Sequence, residues 1–152
     1  MKRKHNIINS LYLTPEELEK TVLDRYKRYE VLENEHTEAE TYLTEDAEIL
    51  VAAYGATARV AKSAVIKARE AGVKAGLIRP ITLWPFPKKE IAKSSENAKH
   101  ILVTEMNMGQ MVDDVKLAVQ CRVPVSFFGR TGGMVPKPSE ILDKILELGG
   151  AK

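Results

Sequence analysis

Cysteine is almost missing from this chain of 152 residues: Cys121 stands alone. One thiol excludes an internal disulfide framework and any multi-thiolate iron–sulfur centre held by the chain itself. Histidine is nearly as sparse, and His5, His36 and His100 are too scattered to suggest a zinc motif, so no metal site is expected. No apolar run approaches the roughly 18 residues of a membrane span, and the first residues lack a secretory signal pattern. With one Trp, three Phe and five Tyr, the chain also lacks the dense basic face with interleaved aromatics that nucleic-acid binding calls for. The expectation left standing is a cytoplasmic globular protein with one core.

The net charge of +2 hides an asymmetry. Residues 1–47 hold seven Lys/Arg against eleven Asp/Glu, a net of −4, which leaves +6 for the remainder. An acidic leader therefore precedes a basic body, whose lysines sit mostly on the polar faces of predicted helices. Within the leader, Thr14 as N-cap, Pro15 at the first position and Glu17 in a capping box predict a helix. Leu18, Val22, Tyr26 and Tyr29 share one of its faces. The segment 29–46 holds seven acids and no Lys or Arg, and reads as a short edge strand or linker. The leader is placed at residues 1–46 and the body at 47–152.

From residue 47 apolar runs alternate with helical patterns. EILVAAY predicts a strand; Gly55 ends it, and Ala61, Ala64, Val65, Ala68 and Ala71 mark a helix face that stops at Gly72. KAGLIRPITL, HILVTEM and VPVSFFG predict three more strands, each followed by a helix. The helix after HILVTEM is given an apolar face of Met108, Met111, Val112, Val115, Ala118 and Val119. Four uninterrupted apolar strands alternating with helices imply a parallel sheet covered on both faces.

Ligands of such sheets bind beyond the carboxyl ends of the strands, where strand order reverses. At two of those ends, Gly55 and Asn107 lead into helix N-termini that favour an anion, with Thr57 and Arg59 nearby. The bland readings are a turn glycine at Gly55 and an Asn-x-x-Gln capping box from Asn107 to Gln110. Glu105 is a possible acid or base, but no partner is spaced to identify one. The loop GRTGGMVPKP, which carries Arg130, lacks the Lys-Ser/Thr of a phosphate loop and contains two interrupting prolines. Cys121, near a helix end, reads as a packed thiol. In TLWPFP, Pro85 and Pro87 end a strand and start a helix, while Trp84 and Phe86 either cap the domain's own core or anchor a neighbouring domain or subunit. No catalytic set emerges.

VAAYGATARVAKSAV, GLIRPITLWPFP, ILVTEMNMGQM and FFGRTGGMVPKPSEIL together resemble the C-terminal domain of the alpha subunit of 2-oxoacid:ferredoxin oxidoreductases. The resemblance implies a three-layer α/β/α fold like the transketolase C-terminal domain, with five strands in the order 1-3-2-4-5 and the first antiparallel. It implies an assembly that decarboxylates a 2-oxoacid on thiamine diphosphate and Mg, passes electrons through iron–sulfur clusters to ferredoxin, and forms an acyl-CoA. The cofactors and the CoA-binding parts are expected elsewhere in that assembly, whose other domains and subunits, a beta subunit with gamma and delta subunits as further candidates, are the expected partners. The form TLWPFP leans toward 2-oxoglutarate or broad-specificity 2-oxoacid members. The pyrimidine-binding domain that precedes this one in the family is missing, so Met1 reads as an internal start and the chain as a fragment, inactive alone. Its expected role is subunit assembly, with Asn107, Gln110 and Arg130 possible in a substrate or CoA channel wall. A stand-alone anion- or nucleotide-binding module and a separate interaction module are the alternatives.

Overall fold

A computed structural model describes residues 11–150, which places the basic MKRKH start and His5 outside the described residues. The chain divides into two compact units, residues 1–35 and 36–152.

The first unit contains α1 (Pro15–Glu35). The Thr14 carbonyl accepts the Leu18 N–H at 3.1 Å, the first intrahelical bond an N-cap residue receives. Glu16 and Glu17 complement the positive end of the dipole. The helix runs six residues past Tyr29, where a strand or linker was expected. Val31, Leu32 and the acids of this stretch continue the helix, and Asn34 Nδ2 donates to the Glu30 carbonyl at 2.8 Å. An acidic last turn opposes the dipole, so the local charge signal pointed to an earlier stop.

The second unit runs β1 (Ala39–Tyr42), β2 (Ile49–Ala52), α2 (Gly55–Glu70), β3 (Ala75–Pro80), α3 (Lys88–Ser94), β4 (His100–Glu105), α4 (Met111–Val119), β5 (Val125–Gly129) and α5 (Pro138–Leu148). The sheet order is β1-β3-β2-β4-β5. β1 is antiparallel to β3, and the other pairs are parallel. This is the order and the direction of the first strand that the resemblance implied.

Parallel strands between two helical layers must be apolar on both faces, and all four residues of β2 are buried. Ile49, Val51 and Ala53 face α2 and α5, meeting Ala61, Ala64, Ala68, Ile141 and Ile145. Leu50 and Ala52 face the other way, toward Ile91 of α3 and Met111, Val112 and Val115 of α4. The alanine stripe lets α2 lie close to the sheet, a contact that larger side chains would forbid.

The antiparallel edge strand comes from the acidic stretch assigned to the leader, so the compact unit starts at His36 instead of residue 47. Arg69 of α2 fastens it: its Nε donates to the Ala75 carbonyl at 2.6 Å, and its Nη2 donates to the Leu43 carbonyl at 2.9 Å and to Asp46 Oδ1 at 2.6 Å. Gly76 permits this approach, because a Cβ there would collide with the Leu43 carbonyl oxygen. The edge is also held by Arg79 of β3, which pairs with Glu40 at 2.9 Å.

Three local expectations are corrected. The ladder of β3 ends at Pro80, before TLWPFP, and the Ile81 and Thr82 N–H groups turn to the Glu38 carbonyl at 2.9 and 3.2 Å. Met108 precedes α4 and is 83% exposed, so it has no place in that helix's apolar face. Cys121 is exposed, not packed. Gln120 and Cys121 are both left-handed, with φ of 52° and 56°, and that pair ends α4 by turning the chain away from the core.

Candidate functional site

β2 and β4 are neighbours, while the chain leaves β2 for β3 and leaves β4 for β5 on the opposite side. The strand order therefore reverses between their carboxyl ends, next to Gly55 and Asn107. Of the residues expected at this edge, Glu105, Asn107 and Gln110 are brought together.

Glu105, the last residue of β4, is wholly buried. Its Oε2 accepts the N–H groups of Met111 at 2.9 Å and Gln110 at 3.4 Å, and its Oε1 accepts that of Val112 at 3.2 Å. Asn107 Nδ2 donates to the same carboxylate at 3.0 Å. These contacts supply the hydrogen bonds a buried carboxylate requires, and they place its negative charge at the positive end of α4. The strand end thus caps the helix. A carboxylate consumed this way is a structural anion, not a free acid or base.

The Asn-x-x-Gln capping box does not form. Gln110 occupies the N-cap position but makes no side-chain capping bond. Asn107 Oδ1 instead accepts the Gly109 N–H at 2.7 Å, closing a tight turn, and Nδ2 also reaches the Tyr54 hydroxyl at 3.4 Å. Tyr54, first residue of the strand-end loop that also holds Gly55, thereby joins the ends of β2 and β4. Tyr54, Gln110 and Met111, with Leu83, Phe86 and Asp114, line a small cavity of 150 Å³.

Arg130 belongs to a different structure. Its guanidinium pairs with Glu140 of α5, whose Oε2 also accepts the Lys137 N–H at 2.8 Å. The arginine, followed by that backbone bond, holds the Glu140 carboxyl below its ordinary 4.5. The Arg130 N–H donates to the Glu105 carbonyl at 3.2 Å, so this residue ties the glycine-rich loop to both β4 and α5.

Gly55 opens α2 with a φ of 56°, and Thr57 is buried inside the first turn. Arg59 faces a cleft of 460 Å³ between α2 and the β1–β3 edge, together with Lys62, Arg79 and Tyr42. It is apart from the Glu105 cluster.

The two rings of TLWPFP separate. Phe86 is buried in the core against α3 and α4, whereas Trp84 is 62% exposed. Phe86 thus packs in the domain's own core, the first of the two roles considered for it. Trp84 shares the carboxyl edge with exposed Leu83, Met106, Met108, Met134 and Val135, carried by three different strand-to-helix loops.

Among the described residues, no three or more His, Cys, Asp or Glu side chains are grouped to hold a metal ion. No described helix is long and apolar enough to cross a membrane. The donor set also does not fit an iron–sulfur cluster or a magnesium-bound diphosphate: the one thiol is exposed at a helix C-terminus, and Glu105 is spent on backbone N–H groups.

The fold and this edge define a class, a mixed five-stranded α/β/α domain of the transketolase C-terminal kind. The chain belongs to the pyruvate:ferredoxin oxidoreductase core domain II family, whose model matches residues 47–141. The ketoisovalerate oxidoreductase subunit VorB of Methanothermobacter marburgensis is 42% identical over 145 residues, which cover 95% of this chain and 41% of that protein. The chain thus spans about two fifths of that relative's length. A solved 2-oxoglutarate:ferredoxin oxidoreductase from Magnetococcus marinus, with 2-oxoglutarate, coenzyme A and succinyl-CoA bound, aligns with a TM-score of 0.72 at 19% identity, over 90% of this chain and 24% of that one. An inactive split-gene transketolase tetramer aligns with 0.63 at 15% identity, over 76% and 42%. Both structural likenesses bear on the fold.

Proposed function

We propose that this chain serves a 2-oxoacid:ferredoxin oxidoreductase as a non-catalytic assembly domain of its alpha subunit. The full enzyme would convert a 2-oxoacid to an acyl-CoA, with thiamine diphosphate, Mg and iron–sulfur clusters held by its other domains and by the beta subunit, and with ferredoxin as acceptor. The observation that carries the reading is the carboxyl edge: Leu83, Trp84, Met106, Met108, Met134 and Val135 are exposed there, while Glu105 is consumed by internal bonds and Arg130 pairs with Glu140. Trp and Met are enriched in interface cores, and an apolar set gathered at one end of a domain marks a surface for another protein. Asn107, half-buried at that edge, would shape a channel wall indirectly, by fixing the loop that carries Met106 and Met108, while exposed Gln110 would face the channel itself.

Co-expression with the remaining subunits tests this. Trp84→Ala combined with Met108→Asp is expected to abolish co-elution of the chain with its partners, while its own thermal midpoint stays within a few degrees of the parent. Normal assembly of the double variant overturns the reading, as does turnover of a 2-oxoacid by the chain alone with thiamine diphosphate and a dye acceptor.

A further inference from the structure

The cleft between α2 and the β1–β3 edge carries more positive charge than its internal ion pairs neutralise. Arg59 and Lys62 stand one turn apart on α2, and Arg79 enters from β3 on the opposite wall. One carboxylate, Glu40, lines the same cleft and pairs with Arg79 at 2.9 Å. Among the described residues no carboxylate pairs with Arg59 or Lys62. Lys62 is instead held over the Tyr42 ring, its Nζ 4.5 Å from the centroid, which fixes the ammonium at the cleft without neutralising it. Three cations against one carboxylate leave a local charge of +2 around a space of 460 Å³.

Like charges one turn apart on a helix repel each other, and nothing in the packing of α2 offsets this, because its buried face is the alanine stripe. Solvent screening alone would make the arrangement tolerable. An anion would make it favourable. The floor also has room: a Cβ at Gly55, the cleft residue at the start of α2, would meet nothing within 4 Å. A guanidinium fork and an ammonium on one wall, with a second guanidinium facing them, present donors from several directions to a ligand of more than one negative charge. A tetrahedral phosphoryl group meets that demand, whereas a single carboxylate on the Arg59 fork would leave Lys62 without an anionic partner.

We infer that this cleft is a binding site for a phosphoryl group, with Arg59 and Lys62 as its principal ligands and Arg79 supporting them across the cleft. The inference rests on the cleft's own residues and does not depend on the assembly role proposed above.

Titration of the full chain with inorganic pyrophosphate, followed by amide chemical shifts, tests it. Saturable shifts are expected at Tyr42, Gly55, Arg59 and Lys62, weakening with added KCl. Arg59→Ala should lose about tenfold in affinity, the value of one charge-assisted hydrogen bond of ~1.4 kcal/mol. Lys144→Ala, on α5 and paired with Glu147, should leave binding unchanged. Inorganic phosphate and methyl phosphate in parallel separate a free anion from an ester as the source, and saturable binding of either supports the site. Shifts that never saturate, shifts spread evenly over the lysine-bearing surface, or undiminished binding by Arg59→Ala would overturn it.

Discussion

The Glu105 carboxylate accepts the Met111 N–H at 2.9 Å, so the last residue of β4 caps the helix that follows it. Capping is ordinarily done by the residue at the helix start; here the N-cap residue Gln110 contributes no side-chain bond, and the duty passes to a buried anion across the turn. Glu105→Gln keeps the shape but removes the charge and turns an amide NH₂ toward backbone donors. The expected loss is about 2–4 kcal/mol in urea unfolding, the scale of charge-assisted bonds broken where water cannot replace them. A loss under about 0.5 kcal/mol would show that the turn relaxes and finds other partners.

Phe86 and Trp84 lie two residues apart and should respond oppositely. Removing the buried Phe86 ring leaves a hole between α3, α4 and the sheet, so Phe86→Ala should cost about 3 kcal/mol. Trp84 is 62% exposed, and Trp84→Ala should change the stability of the isolated chain by less than about 1 kcal/mol. Denaturant midpoints of the two variants check the contrast; equal losses would place Trp84 in the core after all.

Where one period or one residue type decides an element, the sequence alone was enough. The apolar runs at β2 and β4 and the alanine stripe of α2 led directly to a doubly covered sheet. The edge strand was legible only as an alternative, since Ala39–Tyr42 is polar and half-exposed and takes its identity from pairing with β3. The candidate site was less legible. Glu105 reads as a free carboxylate at a strand end because its partners are backbone N–H groups, which every sequence has and none displays. Arg130 and Glu140 are ten residues apart across a loop, beyond any helical or strand period. Nor does spacing reveal that Phe86 turns inward while Trp84 turns out.

Acid should weaken the fold in two stages. Burial lowers His100 from its ordinary 6.5, so an unfolded chain binds that proton first. Its stabilising contribution is complete above pH 6.5 and is lost as the pH falls through the folded value. Glu140 beside Arg130 and Glu48 beside Lys99 lie below their ordinary 4.5, and Asp46 beside Arg69 lies below 3.8. Their contributions are present above those ordinary values and disappear as the pH falls through the folded ones. Unfolding free energy measured from pH 8 to 3 should therefore decline gently from pH 6.5 and again below 4.5. His100→Gln should remove the upper decline, and Arg130→Ala should reduce the lower one by the share of Glu140. Because the carboxylates are solvent-accessible, 1 M KCl should reduce the lower decline. A lower stage insensitive to both salt and Arg130→Ala would exclude these pairs as its origin.

Gly129 ends β5 where the backbone of the neighbouring loop comes closest. A Cβ there would lie 2.6 Å from the Asn107 carbonyl oxygen and would overlap the Phe127 ring. The ring is 37% exposed and can turn aside, but the carbonyl belongs to a loop fixed by Asn107's bonds to Glu105 and Gly109. Relief must come from shifting that loop, and with it the cap of α4 and the positions of Met106 and Met108. Gly129→Ala should accordingly cost about 1–3 kcal/mol, the scale of overpacking, and should also weaken subunit assembly. Gly132 is the control: its φ of 63° burdens any side chain, but a Cβ there meets nothing within 4 Å. Gly132→Ala should cost only the left-handed backbone, about 1 kcal/mol, and leave assembly intact. If the two variants assembled equally well, the loop at Asn107 would not be what presents the methionines, and the carboxyl edge would have to be held by other contacts.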